Sequence, residues 1–367
     1  MHRRQRGGGR GVPQGFTLHS GSRWEKGAAT TKLLLAVLVG LAMVVAALLG
    51  WWPQAPLRLM LGPQQQVLDV QVRPGMSADR VAAEVVAAGV SEPVWLLQWT
   101  FRLSGKGHLI KAGSYELEPG ITPQRLLDKL VKGEQATRSV KLLEGWTFAQ
   151  FRQALAQAEH LKPETQKWSA SELMQALGRA SVPPEGRFFP DTYVYPKGSS
   201  DTDVWRKALS AMDKALAEAW NQRETGLPVR SPDELLTLAS LVEKETGQVA
   251  DRPLVAGVFV NRLRMGMRLQ TDPSVVYGVL NSPLASRFDG RLRRIHLDTD
   301  TPFNTYTRAG FPPTPIAMPG LAALKAAAQP AATRALYFVA RGDGSSQFSE
   351  TLAQHNEAVR RYILQQP

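Results

Sequence analysis

The sequence predicts an α+β protein: a single N-terminal transmembrane helix, then a small unit of strand, helix, helix and strand, then a larger α+β domain. Three observations predict it. Leu33 to Trp52 is an uninterrupted run without one charged side chain. Period-two runs such as Leu68, Val70 and Val72 stand beside helices with their own caps. Helix-start signatures then recur from Thr147 onward, before a terminal hairpin pattern. The expected bounds are a basic tail over 1–32, the span over 33–52, a linker over 53–66, the small unit over 67–143 and the large domain over 144–367.

About 20 apolar residues at roughly 1.5 Å each cross a hydrocarbon core of about 30 Å. The run ends in Trp51-Trp52-Pro53 and not in small residues, which favours an uncleaved anchor over a signal peptide. Ahead of it lie Arg3, Arg4, Arg6, Arg10, Arg23, Lys26 and Lys32 against one acid, Glu25. Positive charge stays on the cytoplasmic side, so the N-terminus is expected there, in the inner (plasma) membrane, with the rest periplasmic. Residues 1 to 30, rich in Gly, Arg and Ser, read as a disordered tail. Gln54 to Gln66, with Pro56, Pro63 and three glutamines, reads as a linker that lifts the following domain off the bilayer.

The net charge of +12 raises the question of nucleic acid, but the N-terminal arm alone supplies +6, seven cations less one acid. No basic run with interleaved aromatics follows, so no nucleic-acid partner is expected. Zero cysteines exclude disulfides and thiolate metal sites. The six histidines never fall at metal-ligand spacing, and neither a Gly-rich phosphate loop nor a Gly-x-Ser-x-Gly elbow occurs, so no metal or cofactor is expected.

In the small unit, the strand Leu68 to Val72 turns at Arg73-Pro74-Gly75. Ser77 caps a helix carrying Val81, Val85 and Val86 that stops at Gly89. A second helix begins near Ser91-Glu92-Pro93, and a strand around Gly113 to Leu117 follows. This order resembles a LysM-like module, a small glycan-binding fold. A folded spacer is the plainer alternative. A helix from Thr122-Pro123 to Gly133 leads into a strand over Ser139 to Leu143. In the large domain, capping boxes are expected at Thr147/Gln150, Ser169/Glu172 and Ser231/Glu234. Leu336 to Ala340, Gly342-Asp343-Gly344 and Gln347-Phe348-Ser349 form a hairpin pattern before a final helix from about Leu352.

Carboxylates remain as the chemistry. The helix from Ser231 carries the stripe Leu235, Leu238, Leu241 and Val242, and Glu245 continues that face, whereas Glu243 follows Leu236, Ala239 and Ser240, a less apolar row. A carboxyl against apolar surface at a helix C-terminus loses hydration and meets the negative end of the helix dipole; both raise its pKa, as a general acid requires. From the pattern alone, a solvated last turn formed by Glu243, Lys244 and Glu245 is the plainer reading.

The segment Leu238 to Thr246, with Glu243-Lys244-Glu245 at its core, resembles the signature helix of the endolytic murein transglycosylases, the YceG-like family. Similar in order and spacing are Glu185-Gly186-Arg187-Phe188-Phe189-Pro190-Asp191-Thr192-Tyr193, Val258 to Leu263, Met267 to Gly278, Phe303-Asn304-Thr305-Tyr306, Gly310 to Ala317, Leu336 to Ala340 and His355-Asn356. The likeness runs from about residue 67 to the C-terminus. It departs from the family in the long basic arm and at Ser345-Ser346-Gln347, where relatives tend to have a Gly-His pair.

The resemblance implies Glu245 as the catalytic acid, with Glu243 as the fallback. It also implies Gln270, Asp272, Ser274, Tyr277, Asn304 and Tyr306 as candidates to line a glycan groove, although Asp272-Pro273-Ser274 also suits a helix cap and Tyr277 a core position. Peptidoglycan glycan strands are then the substrate, cut between N-acetylmuramic acid and N-acetylglucosamine to leave a 1,6-anhydro end, and penicillin-binding proteins or other peptidoglycan synthases are the implied partners. Two alternatives stay open: a hydrolysing muramidase, which needs a second carboxylate, and a non-catalytic cell-wall-binding regulator of the synthases.

Overall fold

The computed structural model describes residues 22–364, and the chain divides into two compact units between Glu134 and Gln135. The first opens with helix α1 (Ser22–Trp51). Residues 22–30, expected in a disordered tail, are therefore helical, as an already nucleated helix extends at little cost; the earlier part of that tail lies outside the described residues. From Thr31 the helix is long and apolar enough to cross a membrane, and its leucines and valines stand exposed.

Beyond α1, strand β1 (Leu68–Val72) pairs antiparallel with β2 (Gly113–Leu117), from Leu68 opposite Leu117 to Val72 opposite Gly113. The alternation buries Leu68, Val70 and Val72 against helices α2 (Ala78–Ala88), α3 (Val94–Leu103) and α4 (Pro123–Lys132). Ser77 and Thr122 cap α2 and α4 by accepting from the Arg80 and Arg125 amides, and Gly133 closes α4 in the left-handed conformation at φ 75°. The strand, helix, helix, strand order is present as expected.

The linker is not a free spacer. Leu57 is buried in the core of this unit and its amide donates to the Ile121 carbonyl, Met60 N donates to Gly89 O, and Arg58 N donates to the Glu92 carboxylate. Prolines and glutamines suggested a solvated tether, but the leucines between them supply burial that a tether forgoes.

In the second unit, β3 (Thr137–Lys141) pairs antiparallel with β4 (Thr192–Pro196), so the strand that the sequence attached to the small unit belongs here. Helices α5 (Phe148–Ala156), α6 (Ala170–Ala176) and α7 (Asp201–Asn221) enclose one core with this pair of strands. Its centre is aromatic: Trp205 lies 4.5 Å from Phe188 and 5.5 Å from Phe148, centroid to centroid, and its indole N–H donates to Thr165 Oγ1 at 3.1 Å.

A second core gathers part of α7 with α8 (Pro232–Glu245), α9 (Arg252–Arg264) and a later alanine-rich helix, Leu321–Ala328. The capping boxes at Thr147/Gln150 and Ser169/Glu172 are complete. At α8 only half of one forms: Ser231 accepts from Glu234 N, but the Glu234 carboxylate turns back to Arg230. Gly257 in α9 leaves no room for a Cβ, which would stand 2.7 Å from the Ala331 carbonyl oxygen and 2.8 Å from a Thr333 methyl. That contact presses α9 onto the strand-like segment before the hairpin β5 (Tyr337–Ala340) and β6 (Ser346–Ser349), which forms as expected.

Trp205→Ala is expected to cost about 3 to 5 kcal/mol, since it empties the centre of the aromatic cluster. Chemical denaturation of the two proteins side by side, followed by far-ultraviolet circular dichroism, measures it; a loss under about 1 kcal/mol would mean that the core repacks.

Candidate active site

Helix α8 is buried on every side: Leu235 to Val242 are all inaccessible, including Thr237 and Ser240. The polar side chains among them stay satisfied locally, Thr237 Oγ1 donating to Asp233 O and Ser240 Oγ to Thr237 O. Hence the distinction between an apolar row ending at Glu245 and a less apolar row ending at Glu243 does not hold. The rows of both glutamates are interior.

Their partners separate them. Glu243 has 5% of its side chain exposed, and both its oxygens are bonded: Oε1 by Arg252 at 2.7 Å and Oε2 by the Gly320 amide at 2.9 Å. Burial pushes its carboxyl up, while the amide and the guanidinium oppose the shift. Glu245, the last helical residue, is half-buried and has no cation within ion-pair distance among the described residues. Desolvation pushes it up to about 7, with the nearby Thr271 hydroxyl lowering it, the Asp272 carboxylate raising it and the Arg262 guanidinium lowering it. Thr271 Oγ1 is itself buried and without a partner of hydrogen-bonding geometry.

The surroundings of Glu245 are built by helix α10 (Asp272–Leu280) and the loop 304–306. Gln270, immediately before α10, adopts a left-handed φ of 51°, a conformation costly for a residue with a Cβ. It is held there by its amide on Thr305 O at 3.2 Å and by Arg262, which reaches its side-chain oxygen at 3.4 Å. Arg262 also donates to Leu336 O and Leu269 O and lies over the Tyr337 ring, so one buried guanidinium joins α9, the approach to α10 and the hairpin. Tyr306 donates its hydroxyl to Asp272 Oδ1 at 2.6 Å, and its own pKa is raised by burial and by that carboxylate.

Of the residues named from the sequence, Asp272 and Tyr306 are therefore gathered beside Glu245, and Gln270 lies on the strained turn leading to them. Ser274 and Asn304 are fully buried beneath this surface, where the sequence placed them in the groove lining. The Ser274 hydroxyl is 2.9 Å from Thr305 Oγ1 and donates to Thr271 O. Asn304 donates to Leu297 O and Thr299 O while accepting from the Tyr306 and Thr307 amides. Both spend their polar atoms on holding loops. Tyr277 packs on Phe303 at 4.8 Å and donates to Glu185 Oε2 at 3.0 Å.

Glu185, Thr271, Arg262 and Arg252 were not singled out from the sequence. Glu185 is a buried carboxyl pushed up to about 7 by desolvation, against the Phe148 amide and the Tyr277 hydroxyl that bond it. A separate cleft of about 530 Å³, lined by Arg187, Arg230, Asp233 and Phe311, lies at the opposite end of α8. At about 1.5 Å per helical residue it is roughly 18 Å from Glu245, measured from Asp233, and plays no part in this arrangement.

The chain matches the model of the YceG-like family over residues 70–361. It is 28% identical over 320 residues to an endolytic murein transglycosylase of Bacillus subtilis (strain 168), covering 81% of this chain and 85% of that protein. It is 30% identical over 288 residues to the endolytic murein transglycosylase of Streptococcus pneumoniae serotype 2 (strain D39), covering 69% of this chain and 51% of the pneumococcal protein. A crystal structure of a YceG-like protein from Listeria monocytogenes superposes with a TM-score of 0.50 at 26% identity, over 80% of this chain and 99% of that one.

Because burial holds Glu245 at about 7, above its ordinary 4.5, the folded protein keeps a proton that the unfolded chain releases. No penalty exists below about 4.5, where both states are protonated; it grows as pH rises and is complete above about 7. Glu245→Gln is therefore expected to match the parent in stability at pH 4 and to exceed it at pH 8 by on the order of 1 to 3 kcal/mol, allowing for solvent screening. Urea titrations at the two pH values check this; equal gains at both would place the stabilisation elsewhere.

Proposed function

The chain belongs to the YceG-like family, and on that premise we propose that it is an endolytic murein transglycosylase whose single acid is Glu245. The observation that supports the assignment is the contrast at the end of α8: Glu243 has both oxygens bonded, to Arg252 and Gly320, while Glu245, its carboxyl pushed up by burial, has no ion-pair partner among the described residues. Protonated Glu245 gives its proton to the oxygen leaving C1 of N-acetylmuramic acid, and the C1–O bond breaks with the electron pair passing to that oxygen. As a carboxylate it then removes the proton from the sugar's own C6 hydroxyl, whose oxygen bonds to C1. The proton returns to Glu245 and the strand ends in a 1,6-anhydro sugar. The nucleophile is already attached to the reacting sugar, an intramolecular advantage that displaces water as the acceptor.

Asp272 lies close enough to raise the Glu245 pKa, and its Tyr306 hydrogen bond fixes it in place. It is the group to stabilise the positive charge that develops at C1, with Tyr306 and Gln270 beside it. Ser274 and Asn304 act by shaping the loops, and Tyr277 by bracing Glu185.

The exposed apolar helix supports a single-pass anchor in the inner membrane, its basic N-terminal arm cytoplasmic and the two units periplasmic. Such an anchor keeps the acid near the membrane where glycan strands are made, which suits a partnership with penicillin-binding proteins or other synthases and a role in ending strand growth. The order of the first unit supports a LysM-like module.

Mass spectrometry of purified glycan strands digested by the full chain in detergent tests the reaction. Anhydro ends are expected, and Glu245→Gln is expected to lose about 10²- to 10⁴-fold in turnover. Reducing ends would mean a hydrolase; an unaffected variant would remove Glu245 from the chemistry.

Asp272→Asn separates two roles. With its negative charge gone the Glu245 pKa falls, so the alkaline limb of the pH profile should move to lower pH as turnover drops. A drop with no movement of that limb would leave Asp272 a structural part only.

A further inference from the structure

Helix α3 exposes a face that a protein in water would be expected to hide. Trp95, Trp99 and Leu103, at i, i+4 and i+8, are 57%, 55% and 65% exposed, while Leu97 and Phe101 on the other side are fully buried in the unit's core. Large exposed apolar stripes of this kind mark an interaction surface. This one continues the surface of α1. A groove of about 560 Å³ has Val45, Leu49 and Trp51 of α1 as one wall and Trp95, Trp99 and Leu103 of α3 as the other.

Two features hold the walls together. The Trp52 indole N–H donates to Thr100 Oγ1 at 2.8 Å, and Thr100 Oγ1 in turn donates to Leu96 O. The segment that follows α1 is stitched to the same unit through Leu57 and Met60, so no free tether separates the span from α3.

We propose that the face of α3 formed by Trp95, Trp99 and Leu103 lies in the membrane, at the boundary of headgroups and acyl chains in the leaflet that α1 meets at its C-terminal end. The inference rests on the reading of α1 as a membrane span. Val45 to Trp51 is seven residues of helix, about 10 Å, so the groove reaches about 10 Å into the span and α3 sits level with residues that are themselves in lipid. An interfacial helix buries its apolar face by about 5 to 10 Å, and tryptophan is the side chain most at home there. Helix α3 carries no acid to be repelled by anionic headgroups. The first unit is therefore a monotopic foot as well as a spacer: it holds the start of the periplasmic chain flat on the bilayer.

Because the natural sequence has no cysteine, single cysteines report without ambiguity. The full chain carrying Trp95→Cys, Trp99→Cys or Leu103→Cys is labelled with the environment-sensitive fluorophore NBD and reconstituted in phosphatidylethanolamine and phosphatidylglycerol nanodiscs, with or without a doxyl phospholipid quencher. Leu41→Cys, within the span, and Gln71→Cys, on the exposed face of strand β1, are the controls. Blue-shifted emission with loss of most of the signal to the quencher is expected at 95, 99, 103 and 41, and neither at 71. Quenching at 41 but not on α3 overturns the docking while the anchor stands; no quenching at 41 overturns both. A blue shift on α3 that the lipid quencher leaves untouched would put a protein, such as a second copy of the chain, on this face and also overturn the proposal.

Discussion

A helix buried on every side can present a charge only at its ends. That constraint organises the second unit. From Leu235 to Val242 every side chain of α8 is interior, and the two polar ones bond back to their own helix, so no ionisable group is tolerated until the last turn. There the chain places two glutamates, separated by Lys244, which reaches back to the Gly145 carbonyl. The helix dipole and the lost hydration act on both carboxyls, and their partners distinguish them: Glu243 is bonded by Arg252 and Gly320, and Glu245 has no ion pair among the described residues. Glu243, clamped by Arg252 and Gly320, fixes where α8 ends; that in turn fixes where Glu245 stands.

The loops facing Glu245 are fixed by a second kind of constraint, buried polar groups that must be satisfied. Arg262 takes backbone carbonyls from two loops and a side-chain oxygen from Gln270, and in doing so sustains a left-handed residue just before α10. Asn304 does the same for the turn that delivers Tyr306. The hydroxyls of Ser274 and Thr305 bond each other and the backbone of Thr271, its amide donating to Thr305 and its carbonyl accepting from Ser274. The acid's neighbours thus sit on a frame of side chains that never face the solvent.

This division of labour explains what the sequence could and could not disclose. Caps were legible at Ser77, Thr122, Thr147 and Ser169 because their physics is confined to four residues. The span was legible by length, and the terminal hairpin by its two short runs about Gly342-Asp343-Gly344. The ranking of Glu243 against Glu245 was not, since it depends on Arg252 and Gly320, which the fold brings in from beyond the turn and from a distant loop. Nor was the depth of Ser274 and Asn304, because a polar side chain in a motif reads the same whether it faces a substrate or ties a loop. The proline and glutamine content between 54 and 66 masked Leu57, one buried residue that turns a tether into part of a core.

Two other carboxyls bear on how one acid can do the work of two. Glu185 has both oxygens engaged, one by the Phe148 amide and one by the Tyr277 hydroxyl, and so braces α5 against α10. Asp272 differs: Tyr306 holds one of its oxygens, and the carboxylate lies within electrostatic reach of Glu245. A fixed anion beside a titrating acid acts twice in an acid-then-base cycle. On the proposed mechanism it would keep the proton on Glu245 until the glycosidic oxygen draws it away, and once Glu245 is a carboxylate the same repulsion would strengthen it as a base toward the C6 hydroxyl. The like charge that would be a liability in a purely structural site therefore suits a single residue that must first give up a proton and then recover one.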